Sequence, residues 1–269
     1  MKIAVYGNDA VLAEMLRAGG AQLSLYGTDF SSSDDFPEDA DILLCLGGDG
    51  TFLRALPLLE GRNIPVAGIN SGRLGFLTTA QFGECNTWID DLLRGRFSVE
   101  EHSLVKVSCE YFPGEFYPYA ANEFSIQRKG TSVLEVDVNL DGNTLPPYWA
   151  DGIVVCTPTG STAYNLSIGG PLVFPGSNVF VLAPISPHNL NMRPIVLPDT
   201  SSLEVTFTAR DGSALATLDN RAIEIPSGAV FHISKGEYGF KYVNLGGHSF
   251  IAALRSKLLW GEDSRNRKS

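Results

Sequence analysis

The sequence predicts two domains of different class, an α/β domain with a mainly parallel sheet followed by a β-rich sandwich. Three observations carry that prediction. Over residues 1–100 short apolar runs alternate with segments of helical spacing, the pattern of parallel strands joined by crossover helices. From residue 101 the chain changes to a succession of short strand-like runs separated by turn residues. At 248–260, Phe250, Leu254 and Leu258 restore helical spacing, so a C-terminal helix is expected to fold back on the first domain. The expected boundaries are 1–100, 101–246 and 247–269. A chain of 269 residues, 44% hydrophobic and 19% charged, is long enough to bury cores of that size.

In the first domain residues 2–6 read as a strand, and Asp9 is placed to cap a helix over 10–18 that stops at Gly19-Gly20. A short strand at 23–26 and a polar loop at 31–38 follow. Residues 41–46 are almost all apolar, as a strand covered on both faces requires. Helical spacing resumes over 51–59 with Thr51 as a candidate cap, and a strand at 64–69 and a helix at 87–93 close the domain. The second domain is read as strands at 104–111, 120–127, 133–140, 153–156, 179–182, 203–208, 214–218 and 230–233, with Asp141-Gly142 marking a tight turn. Residues 262–269 are charged and expected to fray.

Composition narrows the function. A formal charge of −10 opposes a broad phosphate-backbone surface, so no nucleic-acid partner is expected. No apolar run approaches the roughly 20 residues of a membrane span, and polar residues follow Met1 too soon for a signal peptide. The expectation is a soluble cytoplasmic protein with no membrane partner. Cys45, Cys85, Cys109 and Cys156 form no CxxC pair and read as reduced thiols. His102, His188, His232 and His248 lack ligand-like spacing, which argues against zinc.

The chemistry concentrates at three polar corners. A strand that ends in Gly47-Gly48-Asp49-Gly50-Thr51 and starts a helix puts backbone N–H groups at the carboxyl edge of the sheet, where phosphates bind. Asp49 is the unexpected member. A carboxylate facing a phosphate site is repulsive unless it serves as a base, holds a metal, or accepts a hydrogen bond from a sugar hydroxyl; a plain tight corner would also use the glycines. No Lys follows as in GxxxxGK[ST], and the GxGxxG spacing of hydride-transfer enzymes is absent. At the second corner, Asn122-Glu123 combines a donor with acceptors, suited to an adenine edge or a ribose diol, although a surface turn is the plainer reading. At the third, Asp151 precedes an apolar strand that runs into Thr157-Pro158-Thr159-Gly160-Ser161-Thr162 and a short helix. Such a loop can wrap a polar ligand or simply cap the helix. Ser161 lacks the GxSxG elbow of a triad nucleophile.

Taken together, Gly47-Gly48-Asp49-Gly50-Thr51, Asn122-Glu123, Ala150-Asp151-Gly152 and the stretch 157–164 resemble the NAD kinase family in order and spacing. Residues 70–77, 183–188 and 254–260 are similar as well, so the resemblance runs over nearly the whole chain from about residue 40. A GGDGT corner alone is shared with diacylglycerol and sphingosine kinases and, more loosely, with phosphofructokinases. The resemblance implies a Rossmann-like α/β domain with a β-rich sandwich, and transfer of a phosphoryl group from ATP, in some members from polyphosphate, to the 2′-hydroxyl of the adenosine ribose of NAD. It implies a divalent ion, Mg²⁺ in the ordinary case, and a homodimer or homotetramer. Asp49 matches the proton acceptor and Gly50 a position against the substrate, with Gly47, Gly48 and Thr51 facing the ATP phosphates and Arg54 near the dinucleotide. Asn122 and Glu123 match the adenosine contacts, and Asp151 the acid at the nicotinamide end. Thr162, Ala163, Tyr164, Asn165, Leu166 and Ser167 match the enclosing loop, and Ser186 a further contact placed through Pro184 and His188. The site is expected between the two domains. One departure stands out: many members carry Asp-Gly-Gln late in the β region, where this chain has Asp219-Asn220-Arg221. Two rivals are a lipid kinase, which would want an apolar acyl pocket, and a dinucleotide sensor, which would have no need of Asp49.

Overall fold

A computed structural model describes residues 1–27, 36–70, 72, 75–245 and 249–260. The first part of the polar loop expected at 31–38, Ser71, Arg73, Leu74, His248 and the charged tail at 262–269 lie outside the described residues. The chain divides into two units, Met1–Glu101 with Phe240–Ser269, and His102–Gly239.

The first unit begins with β1 (Lys2–Tyr6), α1 (Ala10–Ala18), β2 (Gln22–Gly27) and β3 (Ile42–Leu46). It continues through α2 (Asp49–Ala55), β4 (Val66–Asn70), β5 (Ala80–Gln81), α3 (Cys85–Leu93) and β6 (Ser98–His102). Asp9 caps α1, its carboxylate accepting from the Leu12 N–H at 2.9 Å, and Gly19 ends the helix.

The second unit is built from β7 (Val105–Ser108), β8 (Tyr119–Ala120), β9 (Glu123–Arg128), β10 (Leu134–Leu140), β11 (Asn143–Thr144), β12 (Tyr148–Ala150) and β13 (Gly152–Cys156). A 3₁₀ turn at Thr159–Thr162 leads into α4 (Tyr164–Ser167). Then come β14 (Val179–Ile185), β15 (Ile195–Pro198), β16 (Leu203–Thr208), β17 (Ser213–Leu218), β18 (Arg221–Pro226) and β19 (Val230–Lys235). The chain returns to the first unit as β20 (Phe240–Asn244) and α5 (Phe250–Leu258).

The sheet of the first unit runs β2-β1-β3-β4-β20-β6, and its β1–β2, β1–β3, β3–β4 and β4–β20 pairs are all parallel. Alternate residues of its strands pack with Leu12 and Leu16 of α1 and Trp88, Ile89 and Leu92 of α3. On the opposite face Phe52 of α2 meets Phe240 and Tyr242 edge-on at 5.8 and 6.1 Å. This explains why β3 is apolar at every position. The second unit is a sandwich of two antiparallel sheets, one ordered β11-β10-β16-β19-β7-β8 with β12 beside β10, the other β15-β14-β13-β9-β17-β18. Phe124, Phe207 and Phe231 lie fully buried in the shared core, with the rings of Phe124 and Phe231 5.0 Å apart. Asp141-Gly142 forms the expected two-residue hairpin turn, both residues at positive φ.

Several boundaries differ from the sequence reading, each for a physical reason. The helix expected over 51–59 is an α-helix only to Ala55, followed by a 3₁₀ segment at Leu56–Leu59, because Pro57 cannot donate the next helical hydrogen bond. Thr51 is not its cap: Gly48 occupies that position and the helix begins at Asp49. The strand expected at 120–127 breaks at Ala121-Asn122, where the chain leaves one sheet of the sandwich and enters the other. Residues 240–244, assigned from sequence to the second domain, form a strand of the first unit's sheet, paired with β4 at Tyr242 and Val66.

Candidate active site

In the first unit, the ends of β3 and β4 build the glycine corner. Gly47 donates to the Ile69 carbonyl at 2.9 Å and sits at φ +148°, where a side chain would also overlap Thr51 Oγ1. The segment 75–79 is drawn against β4 because Gly68 leaves no room for a Cβ between it and the Leu77 carbonyl, and Thr79 donates back to Gly68. Two backbone groups of that segment then converge on Asp49: Phe76 N–H donates to Oδ2 at 2.9 Å and Leu77 N–H to Oδ1 at 3.1 Å. Gly75 is required beside them, since a Cβ there would overlap Asp49 Oδ1. A carboxylate has about four acceptor positions, so these bonds orient Asp49 and leave lone pairs for a further proton. Thr51 accepts from Arg54 at 3.2 Å, and Gly50 and Arg54 are exposed beside it. Lys257, from the last turn of α5, brings its ammonium to 3.6 Å from Asp49 Oδ2.

In the second unit, Asn122-Glu123 lies at the crossing between the two sheets, where N–H groups lose their ladder partners. Asp219 replaces them. It sits at φ +50° in the two-residue turn between β17 and β18, and its carboxylate accepts from the N–H groups of Ala121, Asn122 and Glu123 at 2.9, 2.8 and 3.2 Å. Burial raises the Asp219 carboxyl above its ordinary range, opposed by those N–H groups and by the nearby Arg221 guanidinium. Arg221 bonds the Tyr119 carbonyl and lies over the Tyr117 ring at 5.2 Å, while its Nε is buried without a partner. Glu123 is only 9% exposed, its Oε2 has no hydrogen-bond partner in the protein, and burial followed by the Asp219 charge pushes its carboxyl up to about 8.

The loop after β13 is moulded onto this crossing. Thr157 N–H donates to the Asn122 carbonyl at 2.9 Å, its hydroxyl donates to the Ala121 carbonyl, and Gly160 packs so closely on Asn122 that a Cβ would overlap the backbone. Thr162 donates to the Thr159 carbonyl at 3.2 Å, closing the 3₁₀ turn before Ala163. Tyr164 spans the outer face of β9 and β13: its N–H bonds the Glu123 carboxylate, and its hydroxyl reaches Gln127 Oε1 at 3.4 Å. Asn165, placed by resemblance among the ligand contacts, is fully buried. Its amide donates to the carbonyls of Ser161 and Pro171 at 3.2 and 3.0 Å, which pins the loop. Leu166 is half-buried and Ser167 exposed.

Asp151 and Ser186 are not brought to Asn122-Glu123. Strand β13 pairs Gly152 with Gln127 at one end and Cys156 with Glu123 at the other, which sets Asp151 about 17 Å away at ~3.4 Å per residue. There Arg128 holds Asp151, Nε to Oδ1 at 2.5 Å and a second nitrogen to Oδ2 at 3.4 Å, and Ser186 is exposed at φ +46° after β14.

Sequence reasoning missed Arg128, Asp219 as the holder of the crossing, Gly75 and Lys257. Gly75 and Lys257 stood within stretches singled out as similar to the family, and Asp219 opened the departing triplet, but no local pattern paired any of them with its partner.

The comparisons agree on one family. Residues 29–97 match the model of the ATP-NAD kinase N-terminal domain, and residues 121–245 that of the ATP-NAD kinase C-terminal domain. The NAD kinase of Flavobacterium psychrophilum is 39% identical over 240 residues, covering 88% of this chain and 82% of that protein. Among solved structures, an NAD kinase from Archaeoglobus fulgidus in complex with ATP superposes with a TM-score of 0.74 at 29% identity, over 90% of this chain and 93% of that one. Yeast NADH kinase complexed with NADH shares the fold, with a TM-score of 0.86 at 21% identity over 100% of this chain and 90% of its own.

Proposed function

Because the chain belongs to the NAD kinase family, we propose that it transfers the γ-phosphoryl group of ATP to the 2′-hydroxyl of the adenosine ribose of NAD, giving NADP and ADP. The observation that carries the mechanism is Asp49, a carboxylate at the glycine corner held by the N–H groups of Phe76 and Leu77 with acceptor capacity to spare. The ribose O2′–H gives its proton to Asp49 as the O2′–P bond forms, and the bond from the γ-phosphorus to the bridging oxygen breaks, its electron pair leaving with ADP. A positioned base contributes roughly 10²–10⁴-fold, and alignment with charge neutralisation supplies most of the rest.

Gly47, Gly48, Gly50 and Thr51 line the corner at which the ATP phosphates would lie, and Arg54, which donates to Thr51, is assigned with Gly50 to the dinucleotide. Asn122 and Glu123 are assigned to the adenosine, and Thr162, Ala163, Tyr164 and Ser167 to the loop around it. Asp151, oriented by Arg128, and Ser186 are assigned to the nicotinamide end. Asn165 supports the loop from beneath.

Among the described residues no group of three or more His, Cys, Asp or Glu side chains is arranged so that it could hold a metal ion. Mg²⁺ in nucleotide sites needs no such cage, being held by phosphates and one or two carboxylates, and Asp49 fits that requirement as the carboxylate at the corner. When bound with ATP, the ion supplies neutralisation of phosphate charge. A homodimer or homotetramer working in the cytoplasm completes the reading.

The test couples NADP production to a strictly NADP-dependent dehydrogenase after incubation with ATP, Mg²⁺ and NAD. Signal is expected. Binding of NAD without signal would leave a sensor, and phosphorylation of a diacylglycerol or sphingoid base in its place would leave a lipid kinase.

A further inference from the structure

The glycine corner lacks the lysine that follows other phosphate loops, yet the fold delivers one from the far end of the chain. Ser249 caps α5 by accepting from the Ala252 N–H at 3.1 Å, and Phe250, Leu254 and Lys257 recur along one face of the helix. Leu254 is 2% exposed, and the Phe250 ring lies 6.2 Å from the ring of Phe76. Lys257 follows the same face, placing its ammonium 4.5 Å from the centre of the Phe76 ring. Phe76 thus acts twice on Asp49 Oδ2: its N–H donates to that oxygen, and its ring carries the ammonium to within 3.6 Å of it.

A separation of 3.6 Å is an ion pair but longer than a good charge-assisted hydrogen bond. An ammonium has three protons to donate, and among the described residues no acceptor lies at hydrogen-bond distance from it. A flexible four-carbon stem lets it change partner without moving the helix. The chemistry beside Asp49 needs such a charge, because phosphoryl transfer spreads negative charge over the γ-oxygens as the O2′ bond forms and the bridging bond breaks.

We propose that Lys257 is a catalytic residue of the phosphoryl site: its ammonium rests against Asp49 in the free protein and donates to the γ-phosphoryl oxygens of bound ATP during transfer. The proposal rests on the reading of Asp49 as the base for NADP formation. Lys257 keeps its proton throughout, and the phosphoryl group passes from ADP oxygen to ribose oxygen as described above.

The test uses the full chain with Lys257→Met, which keeps the stem over Phe76 and removes the charge, and Lys257→Arg, which keeps the charge. Wild-type NADP formation is measured first; its absence would sink the kinase reading and leave nothing for Lys257 to act on. Given wild-type activity, Lys257→Met is expected to lose about 10²–10³-fold in kcat. Its KM for NAD and its affinity for ADP should stay within a few-fold of wild type, its affinity for ATP should fall relative to ADP, and Lys257→Arg should recover part of the rate. Wild-type kcat in Lys257→Met overturns the proposal while the kinase reading stands. A parallel loss of ATP and ADP binding with a lowered melting temperature, unrelieved in Lys257→Arg, also overturns it and makes the residue a packing element of α5.

Discussion

Replacing Glu123 by Gln removes a proton-binding site buried beside Asp219, and the effect can be worked out from the structure. Glu123 is 9% exposed, and burial, reinforced by the Asp219 charge, pushes its carboxyl from the ordinary 4.5 up to about 8. The folded protein therefore holds a proton that the unfolded chain releases. Stability from this group is greatest below pH 4.5 and falls as the pH rises from there through 8. Linkage over that span gives a loss of about 1 kcal/mol by pH 5 and about 3 kcal/mol by pH 7. For a chain of this size, the difference of about 2 kcal/mol corresponds to a midpoint lower by roughly 4–8 °C at pH 7 than at pH 5. Thermal unfolding followed by circular dichroism at pH 5, 6, 7 and 8 measures it in wild type and Glu123→Gln. The variant should lack this component and melt higher at pH 7. Two curves that run parallel across the range would refute the reasoning, since they would show Glu123 ionised in the folded protein as readily as in the unfolded one.

Other outcomes follow from the same contacts. Asp49→Asn should bind NAD with similar affinity and lose kcat by about 10²–10⁴-fold, read from steady-state NADP formation; near-normal turnover would remove Asp49 from the role of base. Gly75→Ala places a methyl group on Asp49 Oδ1, so activity should drop at least tenfold even where circular dichroism shows the fold intact. Asp219→Ala leaves three N–H groups at the sheet crossing without their acceptor, which should lower stability by about 2–4 kcal/mol in urea unfolding and raise KM for NAD.

What the sequence made legible was whatever depends on neighbours. The uninterrupted apolar run of β3 announced burial on both faces, Asp141-Gly142 announced a hairpin, and Asp9 announced a helix start, because each is a contract among residues a few positions apart. The glycine corner was legible for the same reason. Contacts settled by the fold were not. Nothing near Phe240–Asn244 says that its partner is β4, some 170 residues earlier, so the strand was counted with the wrong domain. Asp219 could be noticed as a departure from a pattern, but its service to Ala121, Asn122 and Glu123 exists only once a turn and a crossing meet. Asn165 shows what a motif leaves unsaid: beyond its place among the matched loop residues, its buried amide donates to the carbonyls of Ser161 and Pro171, bonds that only the folded loop reveals.

The position of β20 in the sheet bears on how the protein is manufactured. At 5–20 residues per second, a ribosome that has released β4 needs about 10–30 s more before Phe240–Asn244 emerges. Throughout that interval the Val66 end of β4 offers unpaired backbone to any passing strand, whereas the sandwich, contiguous in the chain, can finish folding by itself. Chaperone occupancy on translating ribosomes should accordingly peak while the middle of the message is being read. A premature stop at codon 240, just after the second unit is complete, would yield a whole second unit attached to an unfinished, aggregation-prone first one.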